Sequence, residues 1–230
     1  MSTPSSPASP ATEAVPFSLE ALAAHLATQL PGFQGPLKAR KFAGGQSNPT
    51  YELITPMRSY VMRSKPGPVA QLLPSAHAIE REYRVMQALR TTDVPVPEML
   101  WLEEASEALD HPFFVAEEIA GFQASPQVLL SGAYEAVLPK VAAQKWTILG
   151  EIAKADPAAA GLTSFMAAPA LDACWSRELD HWEALIDRDE AEPLPVTRAA
   201  IRWLRANPPP PAQKLSVVHG DYRTGNFLYD

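Results

Sequence analysis

Strand-like and helical segments are segregated along this chain, and that segregation limits the folds open to it. Three short extended stretches fall at 37–42, 50–54 and 59–63, separated by Gly44-Gly45 with Asn48-Pro49 and then by Pro56-Met57-Arg58. Breakers of this kind between short extended runs read as the turns of an antiparallel meander. A helix precedes them: Ser18 stands as N-cap, Leu19, Leu22, Ala23, Leu26 and Leu30 share one face, and Pro31-Gly32 ends it. A second helix is expected from a Ser75 cap to Arg90, with Ile79, Tyr83, Met86 and Leu89 at helical spacing. Val94-Pro95-Val96-Pro97 breaks it and leads to further strands at 99–102 and 113–119. After Gly121 the texture is helical, at 140–155, 172–186 and 197–206, and Trp146, Trp175, Trp182 and Trp203 on these stripes are expected to serve the core or helix packing rather than stack on a ligand. Strands first and helices afterwards is an α+β arrangement.

Composition narrows the function classes. A chain of 230 residues with 47% hydrophobic and 20% charged residues has enough apolar material for a real core. A net charge of -7 argues against nucleic-acid binding through a basic surface. The single cysteine, Cys174, excludes an internal disulfide framework and points to a reducing, cytoplasmic setting. No apolar run is long enough to cross a membrane. Residues 1–16, rich in Ser, Pro, Ala and Thr, read as a disordered tail rather than a secretory signal.

The chemistry concentrates in Val217-Val218-His219-Gly220-Asp221-Tyr222-Arg223-Thr224-Gly225-Asn226. Phosphoryl transfer needs an Asp to orient a nucleophilic hydroxyl and take its proton, and an Asn to ligate magnesium. Gly44-Gly45-Gln46-Ser47-Asn48, between the first two strands, suits close approach of backbone N–H groups to an anion, and equally suits a plain hairpin turn. Arg63 at the end of the third strand is a cation placed to hold phosphates, and Lys65, two residues on, is its rival. On the following helix, Glu80 and Glu82 lie on different faces, and either could pair with that cation.

These strings together resemble the aminoglycoside phosphotransferase and choline kinase-like family. The match is nearest to the branch encoded beside, or fused to, acyl-CoA dehydrogenases, and it rests on five ordered strings. These are Gly44 to Tyr51, Tyr60 to Gly67, Leu73 to His77, Arg81 to Met86, and Val94 to Pro97, while the His-Gly-Asp loop resembles the wider family. The resemblance implies a bilobal protein-kinase-like fold, with a nucleotide-binding N-lobe at 17–120 and a mostly helical partial C-lobe at 121–230 carrying the catalytic loop. It implies ATP and Mg2+ as cofactors and a small-molecule hydroxyl acceptor such as a hydroxyacyl-CoA, with a functional link to an acyl-CoA dehydrogenase. Carried across position by position, Asp221 is the catalytic base, His219 organises the loop and Asn226 ligates magnesium. Arg63 holds the ATP phosphates with Glu82 as its partner, the loop of Gly44, Gly45, Gln46, Ser47 and Asn48 covers them, and the backbone from Glu117 to Ile119 meets adenine.

In the family a second magnesium-binding Asp lies on the strand beyond the loop, and the sequence reaches Asp230 without it. The expectation is therefore a kinase fragment, weak or inactive alone, with a non-catalytic nucleotide- or partner-binding pseudokinase module as the alternative.

Overall fold

The computed structural model describes residues 15–42, 48–65, 78–105, 109–189 and 192–230. The chain divides into two compact units, residues 1–145 with 222–230, and residues 146–221.

The first unit is built on a five-stranded antiparallel sheet. Its strands are β1 (Lys38–Lys41), β2 (Thr50–Ile54), β3 (Ser59–Ser64), β4 (Met99–Glu103) and β5 (Phe113–Glu117), in spatial order β1-β2-β3-β5-β4. The first three form the meander the turn residues announced, in the register Lys38↔Ile54 and Thr50↔Arg63. Strand β5 then inserts between β3 and β4, with Arg63 opposite Phe114.

Each face of the sheet is covered by one helix, because side chains alternate across a strand. On one face, α1 (Leu19–Gln29) buries Leu22 and Leu26 against Tyr51, Leu53, Tyr60, Met62, Phe113 and Val115. Ser18 caps α1 as expected, its hydroxyl accepting from the Ala21 N–H at 3.2 Å. On the other face, α2 (Ile79–Leu89) packs Ile79 and Tyr83 against Met99, Phe114 and Ala116. Its N-cap is Ala78, which makes no side-chain cap, so α2 begins later than a Ser75 cap would have it. Ser75 itself lies outside the described residues.

A one-turn helix the sequence reading did not include, α3 (Pro126–Leu129), follows, with the Ser125 hydroxyl accepting from the Val128 N–H at 3.3 Å. Helix α4 (Leu138–Lys154) starts in the first unit and continues into the second.

The second unit contains α5 (Cys174–Asp189) and α6 (Pro195–Ala206), with a 3-10 turn at Leu162–Ser164. Arg205 of α6 bonds Asp180 at 2.8 Å and also Glu183, both on α5. Ile152, Leu162 and Ile201 are its buried large aliphatic residues. The core part of that expectation fails at three of the four tryptophans: Trp146 is 61%, Trp182 49% and Trp203 63% exposed, while Trp175 is half-buried. Periodicity fixed the helices correctly, but a stripe is buried only where another element covers it. None of the α5 residues is buried.

Candidate active site

Strand β3 sorts its residues strictly between the two faces of the sheet. Tyr60, Met62 and Ser64 are buried, while Ser59, Val61 and Arg63 are less covered and point to the α2 side. The first turn of α2 brings Glu80 and Glu82 to the same region. Arg63 Nε lies 3.3 Å from Glu82 Oε2, and Lys65 Nζ lies 3.8 Å from Glu80 Oε1. The two rival cations thus each take a different carboxylate. The Arg63 pair is the tighter of the two.

The Arg63–Glu82 approach has ion-pair distance without hydrogen-bond alignment. Arg63 Nε is buried and has no aligned acceptor among the described residues, so the guanidinium keeps an unspent donor. Asn48, the buried residue at the head of β2, is only 2% exposed, and its side chain hydrogen-bonds Glu82. Burial pushes the Glu82 carboxyl above the usual carboxylate range, and Arg63, Arg81 and the Asn48 hydrogen bond pull it part of the way back. The Asn48 side-chain oxygen is the second buried polar atom here that lacks a partner among the described residues.

Gly44, Gly45, Gln46 and Ser47 lie outside the described residues. At the other end of β5, the Glu117 N–H donates to the Glu98 carbonyl at 2.9 Å, and the Glu117 carboxylate accepts from the Glu98 N–H at 2.7 Å. That N–H is therefore already spent within the sheet. The Ile119 carbonyl accepts from the Phe122 N–H at 3.3 Å, in a turn where Gly121 adopts φ +85°. Glycine alone takes that left-handed conformation without strain.

His219 and Asp221 are exposed and belong to the unit of residues 146–221, whereas Asn226, also exposed, belongs to the other. Gly220, between His219 and Asp221, has φ +82°. The segment after Asp221 is held by aromatic side chains. The Tyr222 hydroxyl donates to the Lys145 carbonyl at 2.7 Å, and Lys145 Nζ lies 5.4 Å from the Phe227 ring centroid. Tyr229 forms an antiparallel bridge with Gln123, N–H to carbonyl at 2.9 Å in both directions, and its hydroxyl donates to the Ser125 carbonyl. Between these anchors the Asn226 N–H donates to the Arg223 carbonyl at 3.0 Å, and Gly225 has φ +107°.

Sequence reasoning did not single out Tyr222, Gln123 or Tyr229 as the residues that hold this loop. The available signal was the close spacing of Tyr222, Phe227 and Tyr229 directly after the Asp. Among the described residues no group of three or more His, Cys, Asp or Glu side chains gathers to hold a metal. Magnesium typically keeps several waters and takes one or two protein oxygens beside substrate phosphates. The side-chain oxygen of Asn226 is of the type magnesium accepts, and the partly exposed guanidinium of Arg63 is of the type that meets phosphate.

Comparison with known proteins bears on this arrangement. Residues 38–230 match the phosphotransferase enzyme family, APH, so the match opens on the first residue of β1 and α1 precedes it. The chain is 34% identical over 196 residues to mouse acyl-CoA dehydrogenase family member 10, covering 85% of this chain and 18% of that protein. It is 29% identical over 221 residues to chicken acyl-CoA dehydrogenase family member 11, covering 93% of this chain and 27% of that one. The chain therefore spans about a fifth to a quarter of the length of these relatives. A solved structure from Ralstonia eutropha JMP134, described as a candidate aminoglycoside phosphotransferase, superposes with a TM-score of 0.71 at 34% identity. The superposition covers 93% of this chain and 60% of that one. The match runs through the five-stranded sheet, α2 with its carboxylates and the His-Gly-Asp loop, and the chain belongs to the phosphotransferase enzyme family, with that family's kinase-like α+β fold.

Proposed function

We propose that this protein transfers the terminal phosphate of ATP to a small-molecule hydroxyl group, in a Mg2+-dependent reaction. The observation that carries this reading is the Arg63–Glu82 pair, a partly exposed strand cation backed by a helix carboxylate at 3.3 Å. Arg63 would hold phosphate oxygens through charge-assisted hydrogen bonds, and its fork geometry favours bidentate contact. The backbone of residues 44–48 would cover the phosphates, and the segment from Glu117 to Ile119 would meet the adenine edge through backbone groups other than the Glu117 N–H.

Asp221 would take the proton of the acceptor hydroxyl as its oxygen bonds the terminal phosphorus and the bond to the departing ADP oxygen breaks. His219 would keep the loop in shape from within the backbone turn at Gly220. Asn226 would hold magnesium, which when bound neutralises charge on the phosphates. The names of the relatives, acyl-CoA dehydrogenase family members, favour a hydroxyacyl-CoA or a related metabolite as acceptor over an antibiotic. A cytoplasmic setting fits the lone Cys174.

The test measures ATP binding with Mg2+ by calorimetry, then ADP formation in the presence of a hydroxyacyl-CoA or, in parallel, an aminoglycoside. The expected result is binding of ATP, ADP formation stimulated by the hydroxyacyl-CoA, and a loss of about 10²- to 10⁴-fold in that rate for Asp221→Ala. Absence of ATP binding overturns the reading. Stimulated turnover that survives Asp221→Ala overturns the assignment of the base.

A further inference from the structure

Asn48 is the least exposed polar residue described here, at 2%, together with Ser64. A buried amide is costly unless its groups are paired, and only one side of this one is: it bonds the Glu82 carboxylate, while its oxygen has no partner among the described residues. An apolar side chain of similar size would fill the place without leaving an orphaned acceptor. Packing therefore does not account for an amide at this position, and the N–H donor does.

The surroundings of Glu82 make that donor consequential. The sheet strands under α2 present Met99, Phe114 and Ala116, which offer a carboxylate nothing. The charged groups acting on Glu82 are Arg63 from β3 and Arg81 from α2 itself. Arg63 approaches Glu82 without hydrogen-bond alignment, so it supplies attraction but little orientation.

We propose that Asn48 is a positioning residue: from its buried place at the head of β2 it donates to the Glu82 carboxylate and sets the orientation in which that carboxylate holds Arg63. The role of Arg63 toward phosphate rests on the function proposed above; the Asn48–Glu82–Arg63 linkage does not. Strand β2 thereby reports to α2 through a side chain, in addition to the backbone ladder that joins it to β3.

The experiment follows the carboxyl 13C resonance of Glu82 against pH in nucleotide-free protein, assigned by its disappearance in Glu82→Gln. In Asn48→Leu the midpoint should rise, because the charged form loses its hydrogen bond. In Asn48→Ser, whose hydroxyl still donates, it should return toward the wild-type value. A second arm measures ATP affinity at neutral pH, expected to weaken on the order of tenfold in Asn48→Leu and less in Asn48→Ser. A Glu82 midpoint unmoved by Asn48→Leu, or moved equally by both variants, overturns the proposal. Should wild-type protein fail to bind ATP, the functional reading fails, and the resonance arm still decides the role of Asn48.

Discussion

Replacing Glu82 by Gln separates stability from function, and the structure fixes the sign of each effect. The substitution keeps the shape of the side chain and an oxygen to accept from Asn48, and removes only the charge facing Arg63. At 3.3 Å, two unit charges attract by about 1 kcal/mol in water and about 5 kcal/mol at an effective dielectric of 20. Side-chain exposures of 33% and 30% keep water and ions close to both groups, so about 1 kcal/mol is the appropriate scale. Losing it should weaken ATP binding about fivefold, if Arg63 is the phosphate cation. Glu80→Gln, which removes the partner of Lys65 at 3.8 Å, should change the affinity less.

Stability should respond in the opposite sense. Burial dominates the environment of Glu82 and raises its pKa in spite of Arg63, Arg81 and Asn48. A carboxyl whose folded pKa lies above its unfolded value stabilises the fold below the unfolded pKa, and that contribution is lost as pH rises through the folded pKa. A neutral Gln never acquires the charge. At pH 8 the melting temperature of Glu82→Gln should equal or exceed that of the wild type, and the difference should vanish at about pH 3 and below, where the carboxyl is protonated in both states. Melting temperature and ATP affinity, measured across that range, check both halves. A fall of more than about 3 °C at pH 8 with affinity unchanged would refute the reasoning, because the charge would then serve the fold and not the ligand.

Arg63→Met should weaken ATP binding more than Lys65→Met, and equal or inverted effects in calorimetry would transfer the phosphate role to Lys65. Arg63→Met should also cost stability at pH 8 and recover part of it on acidification, since protonated Glu82 no longer needs a counter-charge; denaturant titrations at two pH values read this out. Leu26→Ala, at a position with no exposure between α1 and the sheet, should destabilise the first unit by about 2–5 kcal/mol in urea. Gly225→Ala should lower stability by about 1–2 kcal/mol, because the residue has φ +107° and the new Cβ would meet Pro126 at 3.4 Å.

Much of this molecule is set locally, and such features are plain in the sequence alone. Ser18 caps α1, the breaks between the first three strands fall where Gly, Pro and Asn cluster in the sequence, and β2 spans Thr50–Ile54, as its β-branched and aromatic residues imply. The α+β order needs only the change of period from strand to helix. Family membership is equally local in origin, because it rests on short strings whose order is preserved.

Tertiary structure decided what depends on which neighbour arrives. Arg63 and Lys65 have the same strand parity, so no pattern in the chain could pair one with Glu82 and the other with Glu80; the packing of α2 on β4 and β5 did that. The amphipathic stripes of α5 and α6 fixed helices but left Trp182 and Trp203 exposed, since burial belongs to the covering element and not to the stripe. Asn48 reads in sequence as one residue of the loop between the first two strands, suited to cover phosphates or simply to turn the chain. Only the fold turns its side chain inward onto a carboxylate 34 positions along the chain, where an amide bond to a charge has a meaning that spacing cannot carry.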